Sequence, residues 1–150
     1  MSSEYMNRAF QEAFKMANEA FEHNEVPVGS VILRDQTIIA AQRNRIIERK
    51  DPTAHAEILA IQDAANFMRN ERLVDCELFT TLEPCAMCTG AIIMARIPRV
   101  YFLLLDEKLP GLRAVLSLPG HNHVPLWSHE LRPDILSSEL LKNFFRQRRS

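Results

Sequence analysis

The chain has 150 residues, of which 47% are hydrophobic and 25% are charged, which is enough for one compact core and predicts a single domain over residues 1–150. No apolar run approaches the roughly 20 residues of a membrane span, and the first residues lack the order of a secretory signal, so we expect a cytoplasmic protein with no membrane segment. The formal net charge of −1 excludes a molecule that is basic overall, so a nucleic-acid partner must be held by a local patch.

The first half of the chain predicts a helix, a hairpin and a second helix. Apolar residues recur every three or four positions over 4–24, which is typical of an amphipathic helix. β-Branched runs at 28–33 and 37–41 predict a hairpin, and the polar stretch 43–51 predicts a loop. A second helical pattern covers 54–69 and has start signals at 51–53, which places His55 in or beside the first turn.

The second half predicts a short strand at 77–81, a helix at 85–96 that opens near Pro84, and a strand at 99–105. The Pro- and Gly-rich stretch 106–127 indicates mostly irregular structure, with a short helix around 112–118. Pro133 then introduces a closing helix with apolar residues from 135 to 145. Because strand-helix-strand passages favour parallel neighbours, this order predicts an α/β domain with helices covering both faces of a sheet.

Two short motifs together indicate a metal site. His55 is followed by Glu57, and Cys85 and Cys88 form a C-x-x-C pair. One imidazole and two thiolates are ligands that Zn²⁺ prefers, and a tetrahedral ion then has one position left for water. Two cysteines three residues apart at a helix start share a face, and the helix N-terminus favours their thiolate forms. The chain has three cysteines, and an odd number argues against a closed disulfide framework.

Glu57 is suited to proton transfer. A metal ion lowers the pKa of bound water from about 16 to about 7. Glu57 does not share a helix face with His55, so it is able to take the proton from that water rather than bind the ion. A redox C-x-x-C pair and a closed structural zinc site are the alternatives; the preceding His-x-Glu argues against the first, and the lack of a nearby fourth ligand argues against the second. We expect Cys76 to be a small buried hydrophobe and assign no role to His121 or His123.

Longer motifs carry a resemblance. These are E-V-P-V-G at 25–29, Asn44, D-P-T-A-H-A-E-I at 51–58, T-L-E-P-C-A-M-C at 81–88 and F-F-R at 144–146. In these motifs the chain resembles the bacterial tRNA-specific adenosine deaminases of the cytidine deaminase-like superfamily. The resemblance implies a three-layer helix-sheet-helix fold with a mixed five-stranded sheet. It also implies a homodimer that grips a tRNA anticodon stem-loop, in which zinc-activated water attacks the purine C6 and converts the wobble adenosine to inosine.

The same resemblance assigns roles to individual residues. The Zn²⁺ ligands fall on His55, Cys85 and Cys88, and the proton shuttle falls on Glu57. Asn44 is implied to contact the base or ribose, while Val28 and Ala56 line the purine pocket. RNA contacts are assigned to Asp106, Lys108, Phe144, Phe145, Arg146 and Arg149. The basic tail, which also contains Arg148, has a second interpretation, because cations at a helix C-terminus complement the helix dipole.

The chain departs from the family pattern after Phe102. Three leucines at 103–105 replace small and basic residues, although Asp106 and Lys108 still align. Because this region borders the nucleotide pocket in the family, bulk at Leu104 predicts a narrower pocket or a different substrate. Two alternative functions therefore stay open. One is a free-base or nucleoside deaminase acting on guanine, cytosine or cytidine, which needs no basic tail; the other is an inactive RNA-binding partner subunit, which does not need Glu57.

Overall fold

The computed structural model describes residues 3–132. The closing helix and basic tail predicted from the sequence therefore lie outside the described residues. In chain order, the elements are α1 (Ser3–Glu22), β1 (Gly29–Arg34), β2 (Thr37–Arg43), α2 (Ile46–Arg49), α3 (Ala56–Met68), β3 (Cys76–Leu82), α4 (Ala86–Ala95), β4 (Arg99–Leu104), α5 (Leu112–Leu116) and β5 (Leu126–His129).

The strands form one mixed sheet in the order β2-β1-β3-β4-β5. β1 runs antiparallel to both β2 and β3, whereas β3, β4 and β5 are parallel to one another. The passage β3-α4-β4 thus joins parallel neighbours, as predicted. The passage β2-α3-β3 joins strands that run the same way but are separated by β1. The start of β1 and the end of β3 meet at one edge, where Ser30 pairs with Thr80.

Helices cover both faces of the sheet because successive strand residues point to opposite sides. On one face, Phe10 and Ala13 of α1 pack against Val31, Phe79 and Leu103. On the other face, buried residues of α3, α4 and α5 pack against the intervening strand positions; this cluster includes Ile32, Ala60, Leu78, Ile92, Val100, Phe102 and Leu112. The three-layer helix-sheet-helix architecture and the mixed five-stranded sheet are confirmed.

The prediction that 43–51 is only a loop is wrong, because it contains the single-turn helix α2. The buried carboxylate of Glu25 accepts hydrogen bonds from the backbone N–H groups of Ile47 at 3.2 Å and Glu48 at 2.9 Å. Negative charge at a helix N-terminus satisfies donors that have no partner within the helix. The side chain of Glu48 also pairs with Arg43 at 2.8 Å. The stabilising carboxylate comes from 22 residues upstream, so local sequence gives no sign of it.

The sequence patterns also miss β5, which lies in the stretch predicted to be mostly irregular. β5 is parallel to β4, and the rings of Trp127 and His129 stack on Phe102 with centroids 5.8 and 5.7 Å apart. Leu126 and Trp127 are both exposed, so this short strand shows no alternation of apolar and polar residues. The short helix α5 was expected and is confirmed. Among residues 3–132, no helix has the length and apolar character needed to cross a membrane.

Candidate active site

Two helix starts bring the predicted metal ligands together at one edge of the sheet. His55 is the N-cap residue of α3, and Cys85 is the N-cap residue of α4. Cys88 lies in the first turn of α4, and its backbone N–H donates to the Cys85 Sγ at 3.5 Å. The positive ends of both helix dipoles therefore point towards the group, which favours anionic ligands.

The three ligand atoms have the spacing of a zinc site. The His55 Nδ1 lies 3.6 Å from the Sγ of Cys85 and 3.6 Å from the Sγ of Cys88, and all three atoms lie within 4.8 Å of one another. Zinc bonds of about 2.3 Å to sulfur and about 2.0–2.1 Å to nitrogen, at a tetrahedral angle, separate nitrogen and sulfur by about 3.6 Å. Both cysteines are free thiols rather than a disulfide, so the group fits Zn²⁺ and not an oxidised redox pair.

The electrostatics of the group favour a thiolate. The hydrogen bond from Cys88 lowers the pKa of the Cys85 thiol to about 4, although burial acts in the opposite direction. Its contact with Cys85, together with burial, raises the pKa of the Cys88 thiol above its ordinary value. The hydrogen bond to Cys85 raises the pKa of His55. The three side chains thus share protons that a divalent cation displaces when it binds.

Glu57 is buried beside this group. Only 3% of the residue is exposed, and burial raises the pKa of its carboxyl to about 7. Its Oε1 is buried and has no hydrogen-bond partner among the described residues. An unsatisfied buried oxygen is unfavourable unless a ligand supplies a donor. A carboxyl that titrates near neutral pH is suited to carry protons in either direction.

A cavity of about 260 Å³ lies over these residues. Its lining combines apolar side chains with the polar groups of the site: Val26, Val28, Asn44, Ile46, His55, Glu57, Leu82, Glu83, Cys85, Asp106 and Leu109. Asn44 is buried, and its Oδ1 accepts the backbone N–H of Ala56 at 2.8 Å. Since the His55 side chain makes no capping hydrogen bond, Asn44 supplies the acceptor at the start of α3.

The residues assigned to the purine pocket lie close together. Val28 lines the cavity, and the fully buried Ala56 packs against it. Leu104, the bulky residue after the family motif, packs with Leu82 against this pair. Leu104 therefore supports the cavity wall from behind.

The assigned RNA-contacting residues fall partly within the described residues. Asp106 lines the cavity, and its Oδ1 accepts the backbone N–H groups of Lys108 and Leu109. Lys108 is exposed and lines a neighbouring cavity of about 540 Å³. Phe144, Phe145, Arg146 and Arg149 lie outside the described residues.

The third cysteine and the loop histidines do not belong to the metal group. Cys76 is fully buried at the start of β3, as expected. The Nε2 atoms of His121 and His123 lie within hydrogen-bond distance of the backbone oxygens of Val115 and Ile97, respectively. These contacts account for both rings without a ligand.

Sequence reasoning missed Glu83 and Arg113. Glu83 is buried within the T-L-E-P-C motif, and its carboxylate accepts hydrogen bonds from the Arg113 side chain and from the Asp106 backbone. An acidic residue between Leu82 and Pro84, directly after a buried strand, was the available signal. Arg113 has no comparable signal, because only the fold brings it to Glu83.

Comparisons with known proteins identify the family of the chain. The model of the MafB19-like deaminase family matches residues 4–149. A tRNA-specific adenosine deaminase from Aquifex aeolicus is 42% identical, and the match covers 100% of this chain and 98% of that protein. A solved structure from studies of A-to-I editing by tRNA:A34 deaminases at the wobble position superimposes with a TM-score of 0.80 and 38% identity, covering 82% of this chain and 91% of that one.

A solved guanine deaminase from Bacillus subtilis is more distant, with 27% identity and a TM-score of 0.65 over 96% of this chain and 94% of that one. The similarity to the tRNA deaminases is higher in both measures. The chain belongs to the MafB19-like deaminases and, among them, to the family of the tRNA-specific adenosine deaminases.

Proposed function

We propose that this chain deaminates adenosine to inosine at the wobble position of a tRNA anticodon, with Zn²⁺ as its cofactor. The observation that carries the proposal is the buried Glu57 beside the group formed by His55, Cys85 and Cys88. The choice of an RNA adenosine is supported by the Aquifex aeolicus relative and by the tRNA:A34 deaminase structure.

The reaction is a hydrolysis in which water adds to the purine C6 and the amine leaves as ammonia. His55, Cys85 and Cys88 would hold Zn²⁺, which would supply Lewis-acid activation of the attacking water at neutral pH. The Oε1 of Glu57, which has no partner within the described residues, takes the proton from the attacking water. Glu57 then delivers it to the ring nitrogen and assists departure of the amine. Burial raises the pKa of this carboxyl towards neutral pH, which favours uptake and release of a proton in turn.

The cavity accommodates a single base. Its volume of about 260 Å³ lies below the roughly 300–1,000 Å³ of pockets that hold drug-sized ligands. Val28 and Leu82 supply apolar walls, and Asn44 supplies an amide for the base or ribose. An adenosine that reaches this depth must leave its stack, which costs least in a single-stranded loop. An anticodon loop meets this condition.

Assaying four substrates side by side tests the proposal: an anticodon stem-loop with adenosine at the wobble position, free adenosine, guanine and cytidine. We expect only the stem-loop to react. Turnover of guanine or cytidine instead would favour a free-base or nucleoside deaminase. Stem-loop binding without turnover of any substrate would favour an inactive RNA-binding subunit.

The role of Glu57 is tested separately with Glu57→Ala. We expect this variant to retain zinc and to lose about 10²–10⁴-fold in turnover, because the ligands stay and proton transfer is removed. Glu71→Ala, at an exposed acidic residue, is the matched control and should keep wild-type turnover. Substantial activity in zinc-loaded Glu57→Ala would contradict the assignment.

We also propose that the chain forms a homodimer. Met87 and Met94 of α4 are 39% and 78% exposed, and residues seven apart lie on the same side of a helix. Two exposed methionines on one side of a helix provide apolar surface for a contact between subunits. Analytical ultracentrifugation should show a dimer that Met94→Glu weakens, while Lys15→Glu on α1, at the opposite face of the sheet, leaves it intact. A monomeric wild type at micromolar concentration would contradict the proposal.

The tail and the loop after β4 supply the proposed RNA contacts. We expect simultaneous change of Arg146, Arg148 and Arg149 to Ala to weaken stem-loop turnover and to reduce its salt dependence, because fewer phosphates are neutralised. A fall in thermal stability that accompanies the loss of stem-loop turnover would indicate a folding role for the tail instead. The single-domain organisation, the cytoplasmic location and the individual RNA contacts of Asp106, Lys108, Phe144 and Phe145 stay predictions.

A further inference from the structure

The carboxylate of Glu83 connects two parts of the site that are distant in sequence. Glu83 directly precedes Pro84 and the metal ligand Cys85, and only 2% of it is exposed. Its Oε1 accepts the backbone N–H of Asp106 at 3.0 Å, and its Oε2 accepts the backbone N–H of Arg113 at 3.0 Å. One buried carboxylate thus binds the chain near the start of the segment formed by residues 105–111, which we call the wall loop, and again just beyond its end.

The Arg113 side chain completes the shell around this carboxylate. Its Nε lies 3.2 and 3.1 Å from the two Glu83 oxygens, and its terminal Nη2 lies 3.0 Å from Oε1. Burial alone raises the pKa of the Glu83 carboxyl, but the hydrogen bonds donated by Arg113 and by the Asp106 backbone outweigh burial, so the net pKa lies below its ordinary value. A planar guanidinium fixes the orientation of a carboxylate in a way that a single ammonium does not.

The wall loop forms one side of the substrate cavity. Asp106 and Leu109 both line the cavity, together with Val28 and Asn44. The first residue held by Glu83 is Asp106, whose carbonyl also lies 3.5 Å from the Arg113 Nη2. The position of this wall therefore depends on the orientation of the Glu83 carboxylate.

The end of the wall loop has an attachment that does not involve Arg113. The backbone N–H of Leu112 donates to the Pro84 carbonyl at 3.0 Å, and Gly111 pairs with Cys85 in an isolated β-bridge. A Cβ at Gly111 would lie 2.7 Å from the Pro84 carbonyl oxygen, so these two segments of the chain are in close contact. Loss of the Arg113 side chain should therefore free the start of the wall loop and leave the metal-ligand turn in place.

We propose that Arg113 is a positioning residue for substrate binding, which acts by orienting Glu83 and so holding the wall loop against the cavity. This inference rests on the proposed function for its kinetic test. If Arg113 had only a general structural role, its replacement would weaken substrate binding and metal retention together. A positioning role predicts that substrate binding weakens while the metal is retained.

The test compares Arg113→Met, Arg113→Lys and Arg34→Met in the full chain. Arg113→Met keeps a long side chain but removes the hydrogen bonds that the guanidinium donates to Glu83, whereas Arg113→Lys keeps the positive charge. Arg34 is the matched control, because its side chain is 44% exposed against 40% for Arg113, and it pairs with Asp75 at 3.9 Å. Arg34 ends β1 opposite the start of β3, at the far end of the sheet from the site.

We expect Arg113→Met to raise the KM for the anticodon stem-loop about tenfold, with kcat within about threefold of wild type and unchanged zinc content. Arg113→Lys should give an intermediate KM, and Arg34→Met should match the wild type. Hydrogen–deuterium exchange needs no substrate, and it should show faster exchange of the wall-loop amides in Arg113→Met with unchanged exchange across α4.

A wild-type KM together with wild-type exchange in Arg113→Met would overturn the proposal. Zinc loss, or a fall in kcat at constant KM, would overturn it as well, because Arg113 would then act on the metal ligands rather than on the cavity wall. If the wild type fails to deaminate the stem-loop, the proposed function is refuted, and the exchange measurement still decides whether Arg113 holds the wall loop.

Discussion

Replacement of Gly29 by alanine tests how closely α1 must approach the sheet. A Cβ at this position would lie 1.9 Å from the Ala13 carbonyl oxygen and 2.6 Å from the Ala17 backbone nitrogen. Both are backbone atoms, so no side-chain rotation relieves the contact. The strand cannot easily retreat, because the Gly29 N–H donates to Thr81 Oγ1 and its carbonyl accepts from Thr80 Oγ1.

The expected cost follows from the separation that the new methyl group requires. Ordinary van der Waals contact begins at 3.4 Å, so α1 must move away from β1 by about 1.5 Å. A gap of 0.5–1 Å already loses about a quarter to a half of the attraction between two packed surfaces. The apolar face of α1, which includes Phe10 and Ala13, is fully buried against the sheet. We therefore expect Gly29→Ala to lower the free energy of unfolding by about 3 kcal/mol or more.

Urea unfolding at fixed zinc and protein concentrations measures this loss as a shift of the midpoint. Gly90→Ala is the matched control, because a Cβ at this helical glycine meets no atom within 4 Å. It should stabilise the protein by about 0.5–1 kcal/mol, since alanine is the better helix former. Because Gly90 lies between Met87 and Met94 on α4, both glycine variants are compared in the Met94→Glu background, which weakens the proposed dimer contact. A Gly29→Ala protein within about 1 kcal/mol of wild type would show that α1 is not held at the distance described.

Three further predictions concern the site. In chelator-treated wild type, the pKa of Glu57 is higher in the folded than in the unfolded protein, so protonation of Glu57 stabilises the fold at low pH. The free energy of unfolding should therefore fall by up to about 3 kcal/mol as pH rises from 4.5 through about 7. Glu57→Gln should therefore be the more stable protein above pH 7 in urea unfolding, and a gap that does not narrow towards pH 4.5 would contradict this. Asn44→Ala should lower stability by about 1–3 kcal/mol in thermal unfolding, because the buried N–H of Ala56 loses its acceptor; Asn44→Asp, which keeps an acceptor, should lose less. Chelation should lower the Tm, and Zn²⁺ but not Mg²⁺ should restore it, because thiolate and imidazole ligands favour zinc; an unchanged Tm would argue against metal binding.

The helices that position the metal ligands can be predicted from the sequence. α3 shows apolar residues at helical spacing, and α4 is an apolar run that follows Pro84; the ligand motifs lie where the two helices begin. His55 and Cys85 are accordingly the N-cap residues of the two helices. The parallel pairing of β3 and β4 follows from the helix that joins them.

The features that the sequence patterns miss depend on partners that are distant in the chain. α2 is held by the carboxylate of Glu25, and the cavity wall is held by Glu83 and Arg113, which are 30 residues apart. β5 is recognisable only from its pairing with β4, because its exposed residues at the sheet edge lack alternation. Periodicity reports which face of an element is buried, but it does not report which distant polar group meets it.

The ligands and the cavity walls belong to different kinds of segment, and this separation affects how the protein can change. His55, Glu57, Cys85 and Cys88 lie at the starts of packed helices, whereas most apolar residues of the cavity come from connecting segments. Connections tolerate insertion and substitution more readily than packed helices do. The range of bases accepted can therefore drift during evolution, or be redesigned in the laboratory, while the hydrolytic apparatus stays intact.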